Sequence, residues 1–374
     1  MGKGHCDMST ESTEAVEAVE AVEAVEAVEA VEAVEAVEAV EAVEAVEAGG
    51  GGSALVSSAL GRARDGTARY WAGDASRIPN STGRSSWDAF RTMAQGPRIT
   101  TIDHAIQGWF SVDLANHATA NTEGHATLAG KKLVTLRKPS DTFLASHQLA
   151  YLRAAADLRA DRLAEIRVQT ANIMSFFATV GYLSRAATPW TIALAGAVVR
   201  LCKHLEMPLK HGFDVARPIS MSYAVQPIIH TPGHGAWPSG HATESFAVAT
   251  VLTRLFYQGD TDPVNAVTAQ NELMRHAARI AMNRTVAGVH FPTDSMAGAV
   301  LGMTVGQALI RVLDGEKTVP TRTFHGDRYT GDFNLTVLAQ TLNLPSVIET
   351  GQAAVQVTVP AWLERLWAEA QAEW

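Results

Sequence analysis

Eight residues between Lys210 and Asp294 have the types and spacing to do chemistry on an oxyanion. They fall in three clusters: "KHGFDVARP" (Lys210 to Pro218), "PSGH" (Pro238 to His241) and "NRTVAGVHFPTD" (Asn283 to Asp294). Arg217 and Arg284 offer planar forks of N–H donors that stay charged at any working pH, and Lys210 adds a point charge. Ser239 brings a hydroxyl to a place where a helix starts, and unpaired N–H groups and the helix dipole there favour an anion. Gly240 lets backbone approach that anion closely. His241 and His290 can both work near neutral pH, one attacking or ligating a pentavalent centre and the other carrying a proton. Asp294 lies four residues after His290, so on a helical turn its carboxylate reaches the imidazole and fixes its tautomer. It can equally cap the helix that follows "FPT". A trigonal-bipyramidal oxyanion needs neutralised equatorial oxygens and a partner at each apex. Lys210, Arg217 and Arg284 fill the first need, His290 and His241 the second.

Taken singly, these residues read differently. A lone histidine at a helix start is usually structural, and isolated arginines usually pair with carboxylates. Only the joint inventory favours a reactive site. A metal reading of His230, His234 and His241 is weaker, because their spacing matches no common zinc pattern and no cysteine lies near.

The elements that must position these clusters are helical. Ser140 and Asp141 can cap a helix carrying Phe143, Leu149 and Leu152. A second helix is expected from about Asp161, with Leu163, Ile166 and Ile173 on one face. "TPW" places Thr188 as N-cap and Pro189 at the first helical position of a nearly all-apolar helix to about His204. "SGHATESFAVATVLTRLF", residues 264 to about 284, and Asp294 to about Leu313 read as further helices. The last follows Pro360, with Leu363, Leu366, Trp367, Ala370 and Trp374 at helical spacing. "GWFSVDL" (Gly108 to Leu114) reads as a short strand. Six or more helices predict an all-α helical bundle.

Composition sets the frame. The chain has 374 residues, 47% hydrophobic and 18% charged, enough for a sizeable core. The net charge of -9 is uneven: the Glu-Ala-Val repeat from Glu14 to Ala48 holds 12 glutamates, and -9 - (-12) leaves +3 for the rest. A mildly basic body without a Lys/Arg-rich run suits a small anionic ligand rather than a nucleic acid. The period of three keeps no face apolar on a helix or strand, so residues 1–53, ending in the "GGGGS" linker, read as a disordered acidic tail. Residues 54–139 read as an irregular N-terminal arm, 140–315 as a helical catalytic domain and 316–374 as a C-terminal extension. Cys6 and Cys202 suggest no structural disulfide. No secretory leader is evident, and no window reaches the roughly 18 uninterrupted apolar residues of a membrane span. Those features predict a cytoplasmic protein, with an oligomer compatible.

The clusters resemble the superfamily that joins type 2 phosphatidic acid phosphatases, bacterial acid phosphatases and vanadium-dependent haloperoxidases. Its signature reads Lys-x6-Arg-Pro, Pro-Ser-Gly-His and Ser-Arg-x5-His-x3-Asp. Here it is matched by Lys210 with Arg217-Pro218, by Pro238 to His241, and by Arg284, His290 and Asp294, with Asn283 in place of the usual serine. The resemblance covers residues 210–294. It implies His290 as phosphoryl acceptor in a phosphatase or as axial vanadate ligand in a haloperoxidase. It implies His241 as general acid/base, Asp294 as the group orienting His290, and Lys210, Arg217, Ser239, Gly240 and Arg284 as oxyanion binders. No cofactor is implied for the phosphatase, vanadate for the haloperoxidase, and no other metal.

Features lean each way. Met207 stands where the haloperoxidases commonly hold tryptophan, and a reducing compartment is poor in peroxide and vanadate; both favour a phosphatase. His234 sits at the offset where bromoperoxidases carry histidine and fungal chloroperoxidases phenylalanine, or it is a hydrogen-bonding neighbour of the site. That histidine, with the helix-rich region before the signature, favours a haloperoxidase. The balance predicts a soluble phosphohydrolase of phosphate monoesters working through a phosphohistidine. The alternative is a vanadate-dependent haloperoxidase oxidising halide, bromide first, with hydrogen peroxide. The lipid-phosphatase branch is disfavoured by the lack of spans. A non-catalytic oxyanion-binding or interaction protein ranks last, because it predicts a degraded signature.

Overall fold

The computed structural model describes residues 54–67, 84–115, 121–259 and 262–374. The acidic repeat, the Gly-Ser linker and Cys6 lie outside the described residues. Two compact units are distinguished. One is represented by a helix over Ala54–Thr67 and by residues Arg91–Arg98. The other, 84–90 with 99–374, carries everything discussed below.

The all-α expectation is corrected by a mixed five-stranded sheet, in the order β1 (Phe110–Leu114), β2 (Glu123–Leu128), β3 (Lys131–Arg137), β4 (Thr318–His325), β5 (Ile348–Ala354). Neighbours are antiparallel except β3 and β4, which run parallel with Val134 opposite Arg322. Only β1 was legible as a strand. The sequence "EGHATL" of β2 is buried along nearly its whole length, though it is polar and small-residue in type. Burial on both faces erases the period-two pattern by which strands are read. Ala129 and Gly130, both at positive φ, close the β2–β3 hairpin.

Five helices build the site: α1 (Arg159–Ala171), α2 (Pro189–Phe213), α3 (Gly240–Tyr257), α4 (Glu272–Val286) and α5 (Pro292–Leu313). A further helix, α6 (Ala361–Ala372), follows Pro360 as its periodicity predicts. The stretch expected as one helix from residue 264 is two, Pro263–Thr268 and α4, each with its own cap, Asp262 and Asn271. The stretch after Ser140 also divides, into Asp141–His147 and Leu149–Ala155. α1 stops at Ala171, so Ile173 lies beyond it.

α2 is longer than expected, running through Pro208 to Phe213 and so carrying Lys210 in its last turn. A proline inside a helix removes one backbone hydrogen bond, and burial of Leu201, Leu205, Leu209 and Phe213 on either side of it outweighs that loss at about 1.5–3 kcal/mol per large side chain. Its start is not capped by the Thr188 side chain, which instead bonds Ser184. Glu373, just past α6, accepts from the backbone of Trp190 and Thr191, both at 2.8 Å.

α3 and α5 form the centre, and α5 is buried almost throughout. Glycines at 298, 302 and 306 let their backbones touch: a Cβ on Gly302 would stand 2.2 Å from the Thr243 carbonyl oxygen. The sheet backs this pair. Trp237, fully buried, packs edge-on against Phe213 at 4.9 Å and faces Phe324 of β4 at 6.3 Å. Aromatic pairs of this kind contribute about 0.5–1.5 kcal/mol each, and here they fix the residue just before "PSGH".

Candidate active site

Three helix ends meet at one cavity of about 360 Å³. Lys210, Arg217, His234, Gly240, His241 and His290 line it. Ser239, Arg284 and Asp294 are buried beside those residues. The structure therefore brings together every residue singled out in the three clusters.

The His290 end is built locally. A turn with Gly288 at φ +83° ends α4, a conformation that favours glycine. That turn puts His290 directly before Phe291, the N-cap of α5. Asp294 then does both jobs expected of it. Its Oδ2 accepts from the Phe291 N–H and meets His290 Nδ1, each at 2.9 Å. Nδ1 thus carries the proton, and Nε2 is the lone-pair nitrogen, receiving an Arg217 N–H at 3.0 Å. Burial, then the charges of Arg217 and Lys210, hold the imidazole well below its usual pKa, so it is neutral. A neutral imidazole is what a nucleophile requires. Burial pushes the Asp294 carboxyl up to about 7, against the pull of the Phe291 N–H and the two cations.

The cations are held by carbonyls. Lys210 Nζ donates to Pro238 O at 2.5 Å, and to Gly235 O and Ala236 O at 3.4 Å. Arg217 donates to His234 O at 3.1 Å, Val289 O at 2.8 Å and His234 Nδ1 at 3.2 Å. Carbonyls orient a cation without neutralising it, which leaves its charge for an anion. Burial lowers both arginines to about 10, so they stay protonated. Ser239 is the N-cap of α3, and its N–H donates to the Asp294 carbonyl at 2.9 Å, tying the two helix starts together. Its hydroxyl and Arg284 Nε are buried with no hydrogen-bond partner among the described residues. Buried unpaired donors are rare, and these two lie within the cluster whose chemistry suits an oxyanion.

The His241 end is built from a distance. His241 Nε2 donates to the Gln169 carbonyl on α1 at 2.9 Å, which leaves Nδ1 for proton transfer. The Gln169 side chain also accepts from Arg284 at 2.9 Å and from Asn283 at 3.0 Å. Asn283 in turn accepts from Arg162 at 3.0 Å. Asn283, the one departure from the signature, is therefore a buried bridge between α4 and α1. Burial and the Arg284 charge lower His241 to about 3. Gln169 was not identified from the sequence. Glu206 and Glu244, which also line the cavity, were missed too. Both sit one helical turn from a signature residue, Lys210 and Gly240, a spacing that could have flagged them.

The comparisons with known proteins agree with this geometry. Residues 186–317 match the PAP2 superfamily. A decaprenylphosphoryl-5-phosphoribose phosphatase of Mycobacterium tuberculosis is 31% identical over 140 residues, which is 37% of this chain and 70% of that protein. The chain belongs to the PAP2 superfamily. A vanadium-dependent bromoperoxidase of Ascophyllum nodosum is 33% identical over 94 residues, 20% of this chain and only 17% of that protein. Among solved structures, a transmembrane PAP2 type phosphatidylglycerolphosphate phosphatase from Bacillus subtilis is similar with a TM-score of 0.36 and 19% identity, covering 47% of this chain and 88% of that one.

The expectation of a soluble, cytoplasmic chain rested on the lack of any span-like segment, and that premise is corrected: α5 is long and apolar enough to cross a membrane by length and composition, with 94% of its apolar window buried inside the protein. Thr304 and Gln307 interrupt the apolar run of α5, and both are buried.

Proposed function

We propose that the chain is a phosphohydrolase that cleaves phosphate monoesters through a phosphohistidine at His290. The observation carrying this reading is the His290 ring itself, proton on Nδ1 held by Asp294 and lone pair on Nε2 turned to Arg217 in the cavity. Nε2 attacks phosphorus, forming the N–P bond as the ester P–O bond breaks. Lys210, Arg217 and Arg284 balance the equatorial charge, with the Ser239 hydroxyl and the Gly240 end of α3 as further donors. His241 protonates the leaving alkoxide, then accepts a proton from the water that cleaves the N–P bond. In the free site His241 is neutral. A dianionic ester beside it offsets the Arg284 charge and raises its pKa, so substrate favours the imidazolium at neutral and lower pH while the ring stays neutral at about pH 8.5.

A second reading, a vanadate-dependent haloperoxidase, is favoured by one observation: His234 lines the cavity and touches Arg217, where bromoperoxidases carry a histidine. The donor set fits vanadate, since the unpaired Ser239 hydroxyl and Arg284 Nε suit any tetrahedral or trigonal-bipyramidal oxyanion. Lys210, Arg217, Ser239, Gly240 and Arg284 would hold it, with His290 as ligand. When bound, vanadate supplies peroxide activation for halide oxidation.

Purified protein assayed with p-nitrophenyl phosphate, and separately with vanadate, peroxide and bromide, tests both. Ester turnover that vanadate abolishes is expected. Bromination that needs added vanadate, without ester turnover, overturns the phosphatase.

A further inference from the structure

Two carboxyls outside the three signature clusters share the cavity with His241, His290 and Lys210: Glu206 of α2 and Glu244 of α3. Glu206 stands four residues before Lys210, and Glu244 four after Gly240, so each faces the site from the same helix side as its partner. Glu206 presses on the signature glycine, where a Cβ would lie 2.5 Å from its Oε1. It is 4% exposed, and its Oε2 has no hydrogen-bond partner among the described residues. Glu244 is 8% exposed and reaches Lys203 only at 4.0 Å.

A dianion entering beside two buried carboxylates would be repelled by both. Neutralising one of them by a proton removes half of that repulsion. Resting on the oxyanion reading of the cavity, we propose that Glu206 and Glu244 are a proton-sharing pair that takes up one proton from solvent when a dianionic oxyanion binds. The proton returns to solvent when the anion leaves, so the only bond made and broken is one carboxyl O–H.

Burial raises Glu206 to about 8, with Glu244 adding to the rise, and burial raises Glu244 to about 7. The groups facing the pair are Cys202, Lys203 and Lys210 on α2, His241 on α3, and Arg217, His234 and His290 across the cavity. The lysines pull the pair down, and the two imidazoles are neutral in the free site. Lys210, which burial lowers to about 8, and His241 are the competing acceptors for the proton, and the experiment must separate them from the pair.

Sulfate serves as probe, because it is dianionic throughout the neutral range. Calorimetry in buffers of different ionisation enthalpy, at about pH 8.5, should give uptake of roughly one proton per sulfate in the wild type. Affinity should fall about tenfold per pH unit above the pair's titration. Glu206→Gln, and Glu206→Gln with Glu244→Gln, should bind sulfate about tenfold or more tighter at that pH, and the double variant should take up no proton. Glu244→Gln alone is the second variant should Glu206→Gln fold poorly. Unchanged proton uptake in the double variant assigns the proton to Lys210 or His241 and overturns the pair. Sulfate binding to the wild type without proton uptake or pH dependence overturns this inference and leaves the oxyanion site standing. No sulfate binding at any pH overturns both.

Discussion

The two imidazoles of the cavity are oriented by opposite means. His290 is held by Asp294, one turn along the same helix start. His241 is held by a main-chain carbonyl 72 residues earlier, on α1. The first arrangement is complete once α5 begins. The second exists only when α1 docks on α4, through Asn283, Arg162 and the pairing of Glu165 with Arg279 at 2.6 Å. Attack is thus encoded locally and proton transfer by tertiary packing, and the two ends should respond differently to mutation.

The largest effect is expected at the local end. His290→Ala should lower kcat for p-nitrophenyl phosphate by on the order of 10³-fold or more, with loss of any acid-labile phosphoprotein trapped during turnover. Retained turnover would break the site assignment. Asp294→Asn keeps the size but removes the charge behind Nδ1–H, and a fall of about 10²–10⁴-fold in kcat is expected, with little change in KM.

At the packed end, Gln169→Ala removes the side-chain acceptor that Arg284 and Asn283 share, leaving Arg284 the Ile166 carbonyl at 3.3 Å, while keeping the main-chain carbonyl that holds His241. Unpaired buried donors cost about 1–3 kcal/mol, so a loss of about tenfold is expected, divided between KM and kcat. Its distinguishing mark is a shift in the acid limb of the pH–rate profile, because the Arg284 charge beside His241 is released. The comparison fails if Asp294→Asn moves that limb as far as Gln169→Ala does.

The smallest effect is on stability. Glu206 has its folded-state pKa raised from about 4.5 to about 8, so folding loses stability as pH rises between those values. Glu206→Gln should therefore raise Tm by a few degrees at alkaline pH, with the gain vanishing near about pH 5. A gain independent of pH would show that repacking, not charge, is responsible.

What the sequence reveals follows the same division. Lys210, Arg217, Ser239, Gly240, His241, Arg284, His290 and Asp294 are legible because their types and spacing form one joint inventory within three short clusters. Gln169 and Glu206 are not, because their meaning depends on which helices meet. The strands after β1 were missed for a related reason. The buried "EGHATL" of β2 and the proline-containing "TVPTRTFH" of β4 carry no alternation, and β3 pairs with a strand almost two hundred residues away. Local rules also misjudged α2, where Pro208 reads as a stop that tertiary burial overrides.

The glycines of α5 have a kinetic consequence. Where Gly298 and Gly302 press backbone on backbone against α3, the separation of the two histidines is a property of the main chain and not of any adjustable side chain. Sub-global opening cannot widen the gap by rotamer change; it must part the two central helices. The amides at the starts of α3 and α5 should then exchange with solvent deuterium only by whole-domain unfolding, placing the reactive centre in the slowest-exchanging part of the molecule, while the α1 face that holds His241 opens sooner.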